Sequence, residues 1–211
     1  MSRIDDIRSN AIALIAEHGF GAVSLRQLAR SCGLQAGSLY TYYQSKDDLL
    51  QDLIASYLED LQQSWQQRSK KRDNPVTALN SFVAHHLEFQ RARYSESLIA
   101  SMDLRNLSEP HKCYVMALKS SYEQELKHIL LRGERHGLLS QDHMTSGAIL
   151  AMLTGICLWR DSCADDPAPL VQLCQRAAMQ IACAPQPAPI AAPTQRLSRN
   201  NQPPLDSCRL A

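Results

Sequence analysis

Apolar side chains recur at spacings of three and four along most of the first 183 residues, so the chain reads as helices throughout and predicts an all-α fold. The first helix runs from about Arg3 to His18, with Ile4, Ile7, Ala11, Leu14 and Ile15 on one face, and Gly19 and Gly21 end it. Residues 24–50, SLRQLARSCGLQAGSLYTYYQSKDDLL, then place two short helices around a tight turn. Ser24 caps the first of these in a Ser-x-x-Gln capping box with Gln27, and Leu25, Leu28 and Ala29 give it an apolar face. Cys32-Gly33 closes it, with Gly33 suited to the left-handed position and Leu34 folding back as the hydrophobic contact. The second short helix opens with Gln35, Ala36, Gly37 and Ser38 as its first turn, with Leu39 and Tyr43 spaced to face inward.

A long helix from about Ser45 to Lys71 follows, with Leu49, Leu50, Leu53, Ile54, Tyr57, Leu58, Leu61 and Trp65 as its stripe. Arg68, Lys70, Lys71 and Arg72 near its end read as complements of the helix dipole. Asn74 as cap and Pro75 at the first position open the next helix, whose inward stripe is Leu79, Phe82, Val83, His86 and Leu87. The adjacent His85 and His86 read as one outward and one inward residue. Further helices are expected at about Tyr94–Leu104, from Ser108-Glu109-Pro110 to Arg135, at Asp142–Asp161 and at Pro167–Cys183. Val115, Leu118, Tyr122, Leu126, Ile129, Leu130 and Gly133 trace the buried face of the long one. From Ala184 to Ala211 the composition changes to prolines at 185, 187, 189, 193, 203 and 204 without helical periodicity, which reads as a disordered tail.

Composition narrows the classes. A hydrophobic content of 45% supports a real core. The absence of a long apolar run and of a basic-then-apolar N-terminus predicts no membrane span and a cytoplasmic location. The cysteines at 32, 113, 157, 163, 174, 183 and 208 contain no Cys-x-x-Cys pair, so no metal site is expected. No Gly-x-Ser-x-Gly elbow, phosphate loop or His-Glu-x-x-His motif occurs, so no catalytic activity and no cofactor are expected.

Charge sharpens the reading of the two short helices. Whole-chain net charge is +1, but the window from His18 to Lys46 holds Arg26, Arg30 and Lys46 and no acid. Phosphate binding depends on which charges reach the backbone of the nucleic acid, so this local excess matters more than the total. The second helix offers small residues first (Gln35, Ala36, Gly37, Ser38), then Tyr40 and Thr41, which lets its backbone approach a groove closely. Tyr42 and Lys46 suit donation to phosphate oxygens. The unit reads as a helix-turn-helix that binds double-stranded DNA.

The order of these pieces resembles the N-terminal domain of the TetR family of bacterial transcription regulators over residues 3–50. The resemblance lies in His18-Gly19-Phe20, Ala22-Val23-Ser24-Leu25, Leu28-Ala29, Gly33-Leu34 and Gly37-Ser38-Leu39-Tyr40-x-Tyr42-Tyr43-x-Ser45-Lys46-x-x-Leu49-Leu50. It implies a helix-turn-helix DNA-binding domain over residues 1–47, a helical ligand-binding and dimerisation domain over 48–183, and a tail over 184–211. It makes Gln35 to Tyr42 the recognition helix, and Ser24, Arg26, Gln35, Ala36, Gly37, Ser38, Tyr40, Thr41, Tyr42 and Lys46 the DNA-contacting set. Gln35 stands where family members often carry Ser or Thr.

Two further expectations come with the resemblance. The last two helices would pair with their mates in a homodimer, and Gly147, Ala151 and Gly155, at spacings of four, form a bare strip for a neighbouring helix, with Leu173 and Ala177 on the second face. The middle helices would enclose an effector cavity, for which Phe82, His86, Phe89, Ile99, Met102, Tyr122, Leu126, Met152, Ile156 and Trp159 are the candidate lining. Segments at 94–98, 103–107, 122–126 and 152–155 resemble the C-terminal domain of family members that control acyl-CoA, fatty-acid or steroid breakdown. An acyl-CoA effector would need cations for its phosphates, with Arg91, Arg93, Arg105 and Arg160 as candidates. The expected function is a repressor released from a palindromic operator by a small apolar or acyl-CoA effector. A thiol-based redox-sensing regulator, or a helical carrier that has lost DNA binding, remain alternatives.

Overall fold

The computed structural model describes residues 2–70, 73–140, 142–159 and 167–183, and all regular structure among them is helical. The helices are α1 (Arg3–His18), α2 (Leu25–Ser31), α3 (Ala36–Leu39), α4 (Lys46–Arg68), α5 (Pro75–Ala92), α6 (Tyr94–Met102), α7 (Glu109–Arg135), α8 (Thr145–Trp159) and α9 (Ala168–Cys183). The expected tail at 184–211 lies outside the described residues.

The helix boundaries follow from caps. Ser2, Ser24 and Ser45 each accept from the amide three residues on, and Asp5, Gln27 and Asp48 return the bond, so α1, α2 and α4 all begin in capping boxes. Gly33 sits at φ +64°, where Leu34 N–H donates to Ala29 O at 2.8 Å and Gly33 N–H to Arg30 O at 3.1 Å. These are the paired bonds of a Schellman turn, and they aim the chain from α2 directly into α3. Asn74 caps α5 by accepting from Val76 N–H at 2.9 Å, ahead of Pro75.

Two hydrophobic cores form, and α4 runs through both. The first gathers Ile7, Ala11 and Ile15 of α1, Leu25 and Leu28 of α2, Leu39, Tyr43, and the α4 residues Leu49 to Leu58, together with Ile99, Leu107 and Val115. The second begins at Leu61 and Trp65 of α4 and adds Leu79, Phe82 and Val83 of α5, Tyr122, Leu126 and Leu130 of α7, and residues of α8 and α9. Helix α6 packs on α1 and α4, whereas α5 packs on α7, α8 and α9.

Several expectations change. The recognition helix is helical only over Ala36–Leu39, not Gln35–Tyr42. Beyond it Thr41 Oγ1 donates to Ser38 O at 2.7 Å and Tyr42 N–H donates to Leu39 O, a tighter turn that swings Tyr43 inward. Helix α4 stops at Arg68 rather than Lys71, and α6 stops at Met102, followed by a 3₁₀ turn over Leu104–Asn106. His85 and His86 are both buried, at 5% and 3% exposure, rather than one in and one out. The reason is that α5 is covered on more than one side: His85 meets Ser64 and Trp65 of α4, and His86 meets Tyr122 of α7.

Candidate nucleic-acid interface and effector site

The capped α2 and the short α3 present one polar face. Gln35, Gly37, Ser38, Thr41, Arg26 and Arg30 are exposed, and Tyr40 and Tyr42 are 49% and 42% exposed. Ala36 is half-buried against the body of the head, while Leu39 and Tyr43 anchor the turn from beneath. Ser24, also exposed, spends its hydroxyl on the capping box. Gln35 caps α3 without a side-chain hydrogen bond, so its amide is available to another partner.

Lys46 is placed differently from a simple phosphate donor. Its ammonium donates to the carbonyls of Phe20 and of Gly21, the latter at 3.2 Å, and lies 4.1 Å above the Phe20 ring. It therefore ties the start of α4 to the loop after α1. Burial lowers its pKa, with Asp103 opposing the shift.

Sequence reading missed the group that holds the head together. Arg8 of α1 donates from Nε and Nη2 to the two oxygens of Asp52 on α4, at 2.8 and 2.6 Å, and Tyr43 O–H donates to the same carboxylate at 2.5 Å. The signal was Asp52 itself, an acid inside the stripe formed by Leu49, Leu50 and Leu53. Burial alone would raise this carboxyl, but the hydrogen bonds from Arg8 and Tyr43 outweigh it and hold its pKa below the usual range.

Among the candidate effector residues, the second core brings together Phe82, Tyr122 and Leu126, with Phe89, Met152 and Ile156 at its edge. The His86 ring stacks against Phe82 and against Tyr122, 6.3 and 5.7 Å between centroids. Its Nδ1 hydrogen-bonds Tyr122 Oη at 3.2 Å. Burial, reinforced by His85, drops the His86 imidazole to about 3, so the ring is neutral. Ile99 and Met102 do not join this group. Ile99 belongs to the first core and Met102 is 56% exposed, because α6 turns its buried face toward α1 and α4. The Trp159 side chain lies outside the described residues, as do Arg160, Cys163 and Cys208.

Polar residues that the sequence did not single out surround the same aromatic group. Tyr57 of α4 packs its ring 5.5 Å from Phe89, and burial pushes its phenol up to about 12. Gln90, one turn beyond His86, is 3% exposed and donates to Thr154 of α8 at 3.5 Å. Arg93, offered by the sequence as a phosphate ligand, is committed internally: it donates to Asp60 at 2.6 Å and to Glu96 at 3.0 Å and stacks over Tyr57 and Phe89. The spacing of Gln90 from Phe82 and His86 was the signal available in the sequence.

On the far side of the body, Ala151 and Gly155 of α8 are exposed and Gly147 is half-exposed, and nothing lies within 4 Å of where a Cβ on either glycine would sit. Leu173 of α9 is 48% exposed and Ala177 is half-buried. Burial raises the thiol pKa of Cys157 to about 11 and also raises that of Cys174. No group of His, Cys, Asp and Glu among the described residues is arranged to hold a metal, and no helix among them is long and apolar enough to cross a membrane.

Comparison with known proteins fits this architecture. A solved structure of AibR in complex with isovaleryl coenzyme A and operator DNA superposes with a TM-score of 0.74 at 19% identity, covering 87% of this chain and 100% of that one. FadR from Bacillus subtilis in complex with stearoyl-CoA superposes with a TM-score of 0.68 at 18% identity, covering 85% and 97%. In sequence, the HTH-type transcriptional repressor KstR2 of Mycolicibacterium smegmatis is 26% identical over 108 residues, 51% of this chain, and the match spans about half of that relative's length, 53%. The family model for bacterial regulatory proteins of the tetR family matches residues 7–53, and that for the tetracyclin repressor-like C-terminal domain matches residues 72–162. With its reading head and its helical body each matched in turn, the chain belongs to the TetR family of bacterial regulatory proteins.

Proposed function

We propose that the protein is a homodimeric transcriptional repressor whose residues 1–47 bind a palindromic operator and whose residues 48–183 bind an acyl-CoA-type effector that releases it. The observation that carries the DNA reading is the exposed, acid-free face of α2 and α3, with Tyr40 and Tyr42 standing clear of the core while Leu39 and Tyr43 hold the turn in place. Tyr42 and Arg26 would donate to phosphate oxygens, and Gln35, Ser38 and Thr41 would meet base edges in a major groove. A two-fold pair of such heads matches half-sites about one helical turn apart, or a multiple of it.

The α8 and α9 strip around Gly147, Ala151, Gly155, Leu173 and Ala177 supports the dimer, since its apolar residues lie exposed and its glycines admit a close helix. The effector reading rests on the aromatic group around His86 and on the complexes of AibR and FadR with coenzyme A thioesters. An effector lowers operator affinity only by the difference between its affinities for the two states of the dimer. Burial moves the Cys157 and Cys174 thiols away from thiolate, which counts against the redox alternative at those two positions.

Gel shifts with the gene's own upstream region test the reading. Binding is expected to weaken steeply with salt, and Arg26→Ala and Tyr42→Ala are each expected to lose about ten-fold in affinity, with a shallower salt dependence for Arg26→Ala. No shift at low salt, or variants indistinguishable from the parent, would overturn it.

A further inference from the structure

Helix α5 carries Phe82, His86 and Gln90 at intervals of four residues, which stacks them along one face. His86 and Gln90 are each 3% exposed, as is Tyr57 of α4, whose ring packs against Phe89. Tyr122 and His86 can share their 3.2 Å hydrogen bond in either direction. If the imidazole donates, the phenol hydrogen lacks an acceptor and Nε2 lacks a donor. If the phenol donates to Nδ1, Tyr122 is satisfied and only the Nε2–H remains, so this arrangement leaves fewer buried groups unpaired. His86 Nε2 has no hydrogen-bond partner, and neither does Gln90 Oε1.

We infer that this group of side chains binds a neutral carbonyl, of a thioester or a ring ketone, with His86 Nε2–H as the donor, and discriminates against a free carboxylate. This narrows the effector reading above and rests on it. Apart from the Arg93 guanidinium, these polar groups are uncharged: imidazole, phenol and amide. Burial keeps the imidazole neutral, so it meets a ligand as a dipole and not as a counter-ion. The guanidinium stacked on Tyr57 and Phe89 belongs to Arg93, which already faces the carboxylates of Asp60 and Glu96, so this corner has a net negative charge. A carboxylate moving here would lose its hydration without gaining a cation, whereas a carbonyl asks for a single donor and finds one unpaired.

Calorimetry on the full chain tests this with matched probes: decanoyl-CoA against its S-decyl-CoA thioether, a 3-ketosteroid against its 3-deoxo analogue, and decanamide against decanoate. At least one carbonyl probe is expected to bind about ten-fold tighter than its carbonyl-free partner, the worth of one buried neutral hydrogen bond. His86→Phe is expected to erase that preference, with operator binding retained as the sign that the variant is folded. His86→Gln, which keeps an N–H, is expected to retain part of the preference, and decanamide to bind more tightly than decanoate. Equal affinities within both carbonyl pairs, a preference that survives in His86→Phe, or decanoate binding tighter than decanamide with proton uptake would overturn the inference and leave the effector reading standing. If no probe binds although operator DNA does, the effector reading falls and takes this inference with it.

Discussion

Asp52→Asn isolates the link that fixes the reading helix to the rest of the head. In the parent the carboxylate receives a bidentate pair from Arg8 and a third bond from Tyr43, so one side chain joins α1, α4 and the turn after α3. The side chains of Arg8 and Asp52 are 29% and 28% exposed, so water screens the charges in part. An exposed ion pair is worth about 0.2–1 kcal/mol and a hydrogen bond to a charged group about 1.5–3 kcal/mol in less exposed settings, so roughly 2 kcal/mol is the expected loss for the three bonds together. For a protein of this size that is a fall of roughly 4–8 °C in melting temperature at neutral pH.

The pH dependence gives the sharper assay. The folded pKa of Asp52 lies below its usual 3.8. A depressed acid contributes stability that is present above the unfolded pKa and is lost as pH falls through the folded one. The difference in melting temperature between parent and Asp52→Asn is therefore expected to be full at pH 6–7 and to shrink below about pH 4. Calorimetric melts across that range check it. A variant that melts within 1 °C of the parent at neutral pH, or a gap that stays constant down to pH 3, would refute the reasoning.

Other expectations follow from single contacts. Gly133→Ala places a methyl against the Leu139 side chain, which folds back over α7, and the overpacking is expected to cost about 1–2 kcal/mol net of the gain in helix propensity, read by chemical denaturation with operator affinity unchanged. Leu173→Glu on the exposed face of α9 is expected to give a monomer by sedimentation and to weaken operator binding at least ten-fold; a dimer of unchanged affinity would exclude that face. Arg93→Gln breaks the bridge from Asp60 to Glu96, and it is expected to leave operator affinity within about three-fold while reducing the effector's release of DNA, measured as the ratio of operator affinities with and without effector.

Most of the head was legible because its signals are local. A capping serine, a glycine that must take positive φ and an inward leucine each act within a few residues, and Ser24, Gly33 and Leu39 all behave as their spacing implied. The length of α3 was not legible, because Thr41 and Tyr43 leave the helical pattern for partners that periodicity does not report, and one of these, Asp52, is brought in by α4. In the body, α5 shows the same limit. A stripe assignment presumes one buried side, and α5 is covered from several directions, so His85 is buried although it lies off the expected stripe; Gln90 continues that stripe one turn past His86 as a polar residue that the apolar pattern does not count. Met102 failed for the converse reason: an apolar side chain on a short helix was counted inward, whereas α6 gives that position to solvent.

Under the proposed function, helix α4 is the element that couples the body to the head. Its first half lies in the core of the head and its second half in the core of the body, with no loop between. It is held near its start and again just past Leu58, where the first core gives way to the second. Near its start, Asp47 accepts from Ser108 N–H at 3.1 Å and lies 2.8 Å from His111 of α7, and Lys46 grips the loop after α1. Further along, Asp60 holds Arg93, which also holds Glu96 of α6, and α6 rests on α1. Tyr57 sits between these points, with its ring against Phe89. A group that engaged Tyr57 would therefore press on α4 between two clamps, one reaching the loop after α1 through Lys46 and the other reaching α1 through Arg93 and α6. Rigid packing of this kind does not absorb a displacement gradually; it favours one arrangement of the head or another.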